Sequence, residues 1–133
     1  MSWFGRKKAP PIRSLIAEGA ELRGQLRFTD GLRIDGEVHG DVVSEGDMPS
    51  LLVISENGKV YGKVNAGHVI ISGEVRGPVV ASELLELQPK ARICGDVRYE
   101  LLEMHQGAMV EGELKPLKAA EKPTLVLAAS NDA

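Results

Sequence analysis

Six copies of one seven-residue pattern run along the chain, and this repeat constrains the fold more strongly than any other feature of the sequence. The pattern is small–x–aliphatic–x–Gly–x–aliphatic, and its copies are AELRGQL (20–26), GEVHGDV (36–42), GKVYGKV (58–64), GEVRGPV (73–79), ARICGDV (91–97) and AMVEGEL (108–114). The central glycines lie at positions 24, 40, 62, 77, 95 and 112. A unit of about 17 or 18 residues with apolar clusters between the copies leaves no stretch long enough for a packed helix, so the repeat predicts short strands.

Aliphatic and polar positions alternate within each copy, which predicts strands with one buried and one solvated face. Two positions before the glycine, the residues are Leu22, Val38, Val60, Val75, Ile93 and Val110. Two positions after it, they are Leu26, Val42, Val64, Val79, Val97 and Leu114. A β-sandwich would not repeat column by column. The sequence therefore predicts an all-β, triangular parallel β-helix of about six rungs, with small residues at its tight corners.

The 133 residues have room for one domain with two tails. We predict a β-helix domain over residues 14–115, a flexible basic and apolar tail over 1–13, and a flexible tail over 116–133. The step of 22 residues contains an insertion around 44–50, which we interpret as a surface loop. A single cysteine, Cys94, excludes an intramolecular disulfide and a multi-cysteine zinc site. No apolar run reaches the roughly 20 residues that a membrane-spanning helix needs.

The two ends of a β-helix expose unpaired strand edges and a slice of the aliphatic core. The sequence offers poor caps for either end, so we predict end-to-end self-association without nucleotide. The predicted polymerisation interface consists of Leu22, Leu26, Phe28, Met109, Val110 and Leu114. The alternative is that residues 12–19 or 117–127 fold over the ends as strands.

The first eight residues, MSWFGRKK, combine two aromatic side chains with three cations. Residues 1–13 carry a net charge of +4, whereas residues 14–115 carry −7. The acidic body argues against nucleic-acid binding, because it would repel phosphates. Aromatic rings favour the headgroup boundary of a bilayer and cations favour anionic lipids. We therefore predict that the tail binds an anionic membrane surface through Trp3, Phe4, Arg6, Lys7 and Lys8; the alternative is a disordered start with no role.

No catalytic constellation is evident in the sequence. The histidines His39, His68 and His105 lie far apart along the chain, and no phosphate-binding loop of the GxxxxGK[ST] type occurs. We therefore predict no enzyme activity, no cofactor, no metal site and no nucleotide requirement. Two alternatives remain open: a hexapeptide-repeat acyltransferase, which shares the triangular fold, and a monomeric β-helix adaptor.

The repeat region and the tails on either side of it resemble the bactofilins, bacterial cytoskeletal proteins. The most specific stretches are GLRIDGEVHGDV (31–42) and VIISGEVRGPVVAS (69–82). The resemblance implies a right-handed β-helix that polymerises end to end, and a scaffold for cell shape or envelope synthesis. It also implies a location on the cytoplasmic face of the inner membrane, with envelope or cell-wall enzymes as clients.

Overall fold

The computed structural model of the chain describes residues 10–46 and 49–117. These residues form short strands joined by turns, and they contain no helix. The strands are β1 (Ile12–Ile16), β2 (Glu21–Arg23), β3 (Leu26–Phe28), β4 (Gly31–Ile34), β5 (Glu37–His39), β6 (Val42–Ser44), β7 (Leu51–Ile54), β8 (Lys59–Tyr61), β9 (Val64–Ile71), β10 (Glu74–Arg76), β11 (Val79–Leu87), β12 (Arg92–Cys94), β13 (Val97–Met104), β14 (Met109–Glu111) and β15 (Leu114–Pro116).

Every pairing between these strands is parallel, and the strands stack into three sides. The first side contains β1, β4, β7 and the second halves of β9, β11 and β13. The second side contains β2, β5, β8, β10, β12 and β14. The third contains β3, β6, the first halves of β9, β11 and β13, and β15. The prediction of a parallel β-helix with about six rungs is confirmed.

The columns read from the sequence are the columns of the core. Val38, Val60 and Val75 are register partners on neighbouring rungs, and each is 0% exposed. On the third side, Val42 and Val64 are paired in the same way and are also fully buried. Because parallel strands place identical positions directly above one another, one aliphatic residue per rung produces a continuous stack through the rod.

From the second repeat on, the central glycine is required by the approach of the rung beneath it. Gly77 has a φ of 149°, and a Cβ at this position would overlap the carbonyl oxygen of Gly62. The same relation holds between Gly40 and Gly24. Only glycine accepts this close approach together with this backbone conformation. The small-residue columns at the corners are therefore structural.

The insertion between the second and third rungs is only partly a surface loop. Glu45 and Gly46 are exposed, as predicted, but Ser44 ends β6 and Ser50 is buried. The Oγ of Ser50 accepts a hydrogen bond of 2.9 Å from the backbone N–H of Gly67. The last residue of the insertion therefore belongs to the packed corner where the third side meets the first side.

Candidate assembly surfaces at the two ends of the rod

One interior column shows how the two ends of the rod differ from its middle. Ile34, Ile54, Ile71 and Leu87 stack on successive rungs of the first side, and each is 0% exposed. Met104 continues this column on the last rung and is 43% exposed. The register of the column is unchanged, so the difference arises because no described residue stacks on the outer edge of the last rung.

All of the large hydrophobic side chains that are strongly exposed within residues 10–46 and 49–117 lie on the two terminal rungs. Ile12 and Leu15 belong to β1 on the first rung, and we call them the N-terminal end surface. The four on the last rung, which we call the C-terminal end surface, are Leu101, Met104, Met109 and Leu114. Leu15 and Met109 share outward columns with their register partners Arg33 and Arg92, so they face the sides of the terminal rungs. The middle rungs present no comparable side chain in the described part of the chain.

The backbone edges of the terminal rungs are also open. In the described residues, β1, β2 and β3 each pair with one strand only, on the second rung. On the last rung, the second half of β13 together with β14 and β15 likewise has a partner on one side only. An open edge of this kind is a template for pairing with another chain.

The residues of the predicted polymerisation interface differ in how exposed they are. Met109 and Leu114 are exposed on the last rung, whereas Leu22, Leu26 and Val110 are half-buried. Phe28 is only 7% exposed and packs into the core. Nothing in the structure brings a second chain to these residues, so the interface stays a prediction.

Sequence reasoning missed four exposed apolar residues of the end surfaces. Leu101 and Met104 belong to an apolar cluster that the sequence shows, but only the rung count reveals that, within the described residues, no further strand stacks on them. Ile12 and Leu15 lie in the stretch that was considered as a cap. Residues 12–16 do form a strand, yet this strand is one side of the first rung and leaves its own outer edge open.

The histidines are not isolated, although they lie far apart in the sequence. His39 Nε2 lies 3.1 Å from Glu21 Oε2 and 3.1 Å from Glu37 Oε1, and its ring stacks on Tyr61 at 4.8 Å. His105 Nε2 lies 3.7 Å from Glu103 Oε2. The register of the rungs brings Glu21 to His39 across 18 residues of sequence, whereas Glu37 and Glu103 are each two residues from their histidine.

His68 is the one fully buried histidine among the described residues. It occupies a corner of the fourth rung, and its Nε2 lies 3.4 Å from Glu86 Oε1. Burial lowers the pKa of His68, and the hydrogen bond to Glu86 partly opposes this shift. The imidazole is therefore neutral at pH 7 and donates its Nε2–H to the carboxylate, since a carboxylate can only accept.

Cys94 lies on the outer face of the second side, where its Sγ is 3.6 Å from Glu111 Oε1. Its register partner on the other side is Arg76, so the thiol lies between an anion and a cation. No base that would accept its proton is among these contacts, and they do not distinguish Cys94 as a nucleophile.

The predicted membrane-binding residues Trp3, Phe4, Arg6, Lys7 and Lys8 lie outside the described residues. Within the described part of the chain, no helix is long and apolar enough to cross a membrane.

Comparison with known proteins gives a family match over the whole repeat region. A model of the bactofilin family, described as polymer-forming cytoskeletal, matches residues 14–115. The chain is 25% identical to Bactofilin BacO of Myxococcus xanthus (strain DK1622) over 111 residues, which cover 84% of this chain and 85% of BacO. It is 28% identical to Bactofilin BacP of the same organism over 119 residues, which cover 85% of this chain and 48% of BacP. No solved structure matches the chain.

Proposed function

The chain belongs to the bactofilin family of polymer-forming cytoskeletal proteins, and from this premise we propose that it assembles end to end, through its terminal rungs, into nucleotide-independent filaments. The observation that carries the proposal is the location of the large exposed hydrophobic side chains on the first and last rungs. Stacking two chains end to end would cover the exposed side chains that continue interior columns, among them Leu101, Met104 and Leu114, and would pair the open strand edges in one step.

The size of the end surfaces is sufficient for association. Covering the four side chains of the C-terminal end surface contributes on the order of 1.5 kcal/mol each. Together with backbone pairing along three strand edges, this approaches the roughly 8 kcal/mol of a micromolar dissociation constant. A contact that places one rod on the end of another leaves the far ends free, so it propagates into a filament.

The test is negative-stain electron microscopy of the full-length chain in neutral buffer without nucleotide or metal. The wild-type chain is expected to form long filaments. The double substitution Met104→Arg and Leu114→Arg is expected to give discrete particles with an unchanged β-sheet circular dichroism spectrum, because both side chains are exposed on the last rung.

The matched control is Val53→Arg, on the outer face of a middle rung. Val53 is a register partner of Arg33, so the same outward column already holds an arginine. This variant is expected to form filaments as the wild type does. Filaments of the double variant would contradict the proposed contact. Discrete particles of the wild-type chain would contradict end-to-end assembly and favour the adaptor or acyltransferase alternative.

We further propose that the filament binds the cytoplasmic face of the inner membrane through the N-terminal residues Trp3, Phe4, Arg6, Lys7 and Lys8. The support is chemical: two aromatic rings and three cations make a weak anchor, with about 1 kcal/mol for each cation near an anionic surface. A single anchor of this kind exchanges rapidly. A filament that carries many of them binds by avidity, because each further attachment is effectively intramolecular.

Deletion of residues 2–8 tests this anchor, with co-sedimentation on vesicles that contain anionic phospholipid as the measurement. The wild-type filament is expected to sediment with the vesicles, and the deleted filament is expected to stay in the supernatant of a low-speed spin. Undiminished binding of the deleted chain would eliminate the membrane proposal while leaving the filament proposal intact.

On this proposal the protein acts as a scaffold that positions envelope-synthesis or cell-wall enzymes and so contributes to cell shape. A membrane-bound filament presents three repetitive sides, each with one outward residue column per strand position. Client enzymes are expected to recognise these sides rather than the ends, which the polymer occupies. Pull-down with the assembly-defective double variant distinguishes binding to the sides from binding to the ends, since this variant keeps the sides intact.

A further inference from the structure

The same arrangement of two glutamates and one histidine occurs once near each end of the rod. On the second side, Glu21 and Glu37 are register partners on the first two rungs, and His39 follows two residues later. On the first side, Glu86 and Glu103 are register partners on the last two rungs, and His105 follows two residues later. In each group, one carboxylate oxygen from each glutamate and one imidazole nitrogen lie within 4.8 Å of one another.

The two groups differ in what already occupies their carboxylates. In the group near the first rung, Arg23 donates a hydrogen bond of 2.6 Å to the same Glu21 oxygen that faces His39. Two donors, Arg23 and His39, thus already share these acids. In the group near the last rung, neither Glu86 nor Glu103 forms an ion pair with a lysine or arginine in the described part of the chain.

We propose that Glu86, Glu103 and His105 form a binding site for a divalent transition-metal ion of the zinc type. An imidazole nitrogen with two carboxylate oxygens is a ligand set that zinc accepts, with bonds of about 2.0–2.2 Å and a solvent molecule in the fourth position. Such bonds place neighbouring ligands about 3.3 Å apart in a tetrahedron. The Nε2 of His105 and the Oε2 of Glu103 lie 3.7 Å apart, so small side-chain rotations bring them to this separation.

Glu86 is held in place by partners that are independent of the proposed ion. Its Oε2 accepts a hydrogen bond of 3.0 Å from Gln88, and its Oε1 faces the buried His68 at 3.4 Å. Outer contacts of this kind orient a ligating carboxylate and raise the affinity of a metal site. The imidazole of His105 is half-exposed, but its Nε2 is shielded from solvent and has no hydrogen-bond partner within the described residues, so this nitrogen is left for a ligand.

The two register-paired glutamates, Glu86 and Glu103, also give a physical reason why a divalent cation would bind here. Like charges directly opposite on neighbouring strands destabilise a sheet, and a divalent cation between them converts repulsion into attraction. The site joins the last rung to the rung before it. A bound ion would therefore clamp the strand that has a partner on one side only, and this effect does not depend on whether filaments form.

The test is equilibrium dialysis of the tag-free, full-length chain against zinc chloride, with the bound metal per chain measured by elemental analysis. The experiment is run on the wild type and on Cys94→Ser, which tests whether the exposed thiol of Cys94 is the source of any zinc binding, since thiolates are zinc ligands. Both chains are expected to bind one zinc ion per chain. His105→Ala and Glu86→Gln are each expected to weaken binding at least about tenfold.

His39→Ala is the matched control, because it removes the equivalent histidine from the group that already contains Arg23. This variant is expected to bind zinc as tightly as the wild type. Thermal unfolding of every variant in the presence of a chelator verifies that the fold is retained. The proposal is overturned if zinc binding survives His105→Ala, if it disappears in Cys94→Ser, or if His39→Ala reduces it as much as His105→Ala does.

Discussion

The middle rungs and the terminal rungs of this rod are built from the same residue columns, yet they have different surfaces. Leu84 is 8% exposed in the fifth rung, whereas its register partner Leu101, the same residue type in the same column, is 53% exposed in the last rung. Gly40 lies against the backbone of Gly24, whereas a Cβ at Gly24 would meet no atom within 4 Å. The burial of a core residue in a β-helix therefore depends on the rung in which it lies. The end rungs of the rod expose the residue types that the middle rungs bury.

The largest effect is expected where the stack is tightest. Gly77→Ala places a Cβ against the carbonyl oxygen of Gly62, and this backbone oxygen cannot move without breaking the pairing of two rungs. The substitution is expected to cost more than about 4 kcal/mol of unfolding free energy, which is enough to abolish folding of a marginally stable domain. The measurement is urea unfolding followed by circular dichroism, in the assembly-defective Met104→Arg and Leu114→Arg background.

Gly24→Ala is the control for this substitution, because Gly24 occupies the same column on the first rung. Its φ of 122° strains an alanine by about 1–3 kcal/mol, but no neighbouring atom is displaced. The variant is expected to fold. Equal losses at the two positions would mean that backbone strain, rather than the neighbouring rung, sets the requirement for glycine.

A smaller difference is expected between the two leucines of the matched pair. Leu84→Ala removes a buried side chain and is expected to lower the unfolding free energy by about 2–5 kcal/mol. Leu101→Ala removes an exposed side chain and is expected to cost less than about 1 kcal/mol in the same assembly-defective background. In the assembly-competent chain, Leu101→Ala is instead expected to raise the critical concentration for filaments. If the two substitutions destabilise the isolated rod equally, then some part of the chain outside the described residues covers the last rung.

The sequence was sufficient to predict the stacked rungs of the β-helix. Each aliphatic or glycine column repeats on every rung, so a single unusual residue does not hide the pattern. It was not sufficient to place Phe28, which was predicted at the end surface and is buried, since its column position on the first rung depends on where the corner lies. The carboxylate–histidine groups were missed for a similar reason. Glu86 and Glu103 are 17 residues apart, which is one step of the repeat. Adding the repeat length to the residue number of each acidic residue would therefore have paired them.

His68 is the residue whose surroundings were hardest to predict. It lies in β9, which bends round a corner without a marker such as proline, so the alternation of the strand does not reveal that residue 68 points into a packed site. Its column contains Leu51, Leu84 and Leu101 on other rungs. Aligning the rungs shows that a leucine position has been replaced by a histidine.

The smallest expected effect is a change in the pH dependence of the unfolding free energy. It is produced by His68→Leu, which places a leucine in this column as on the neighbouring rungs. Burial lowers the pKa of His68 below its ordinary value of 6.5, while Glu86, Glu83 and Glu103 act in the opposite direction. At pH 7.5 this residue is largely neutral in both the folded and the unfolded chain. As the pH falls below 6.5, the unfolded chain takes up a proton that the folded chain does not, so the unfolding free energy of the wild type decreases until the pH passes the lowered pKa.

The leucine variant lacks this loss, and its unfolding free energy is therefore expected to decrease less than that of the wild type between pH 7.5 and pH 5. Other titrating groups are common to both chains; Glu86 keeps its hydrogen bond from Gln88 and loses only the contact with His68. At pH 7.5 the variant gains apolar packing between Leu51 and Leu84 and loses the contact to Glu86, so the slope with pH, rather than the value at one pH, reports on the histidine. Parallel decreases in the two chains would show that His68 is protonated in the folded rod as readily as in the unfolded chain, and that the corner is open to water.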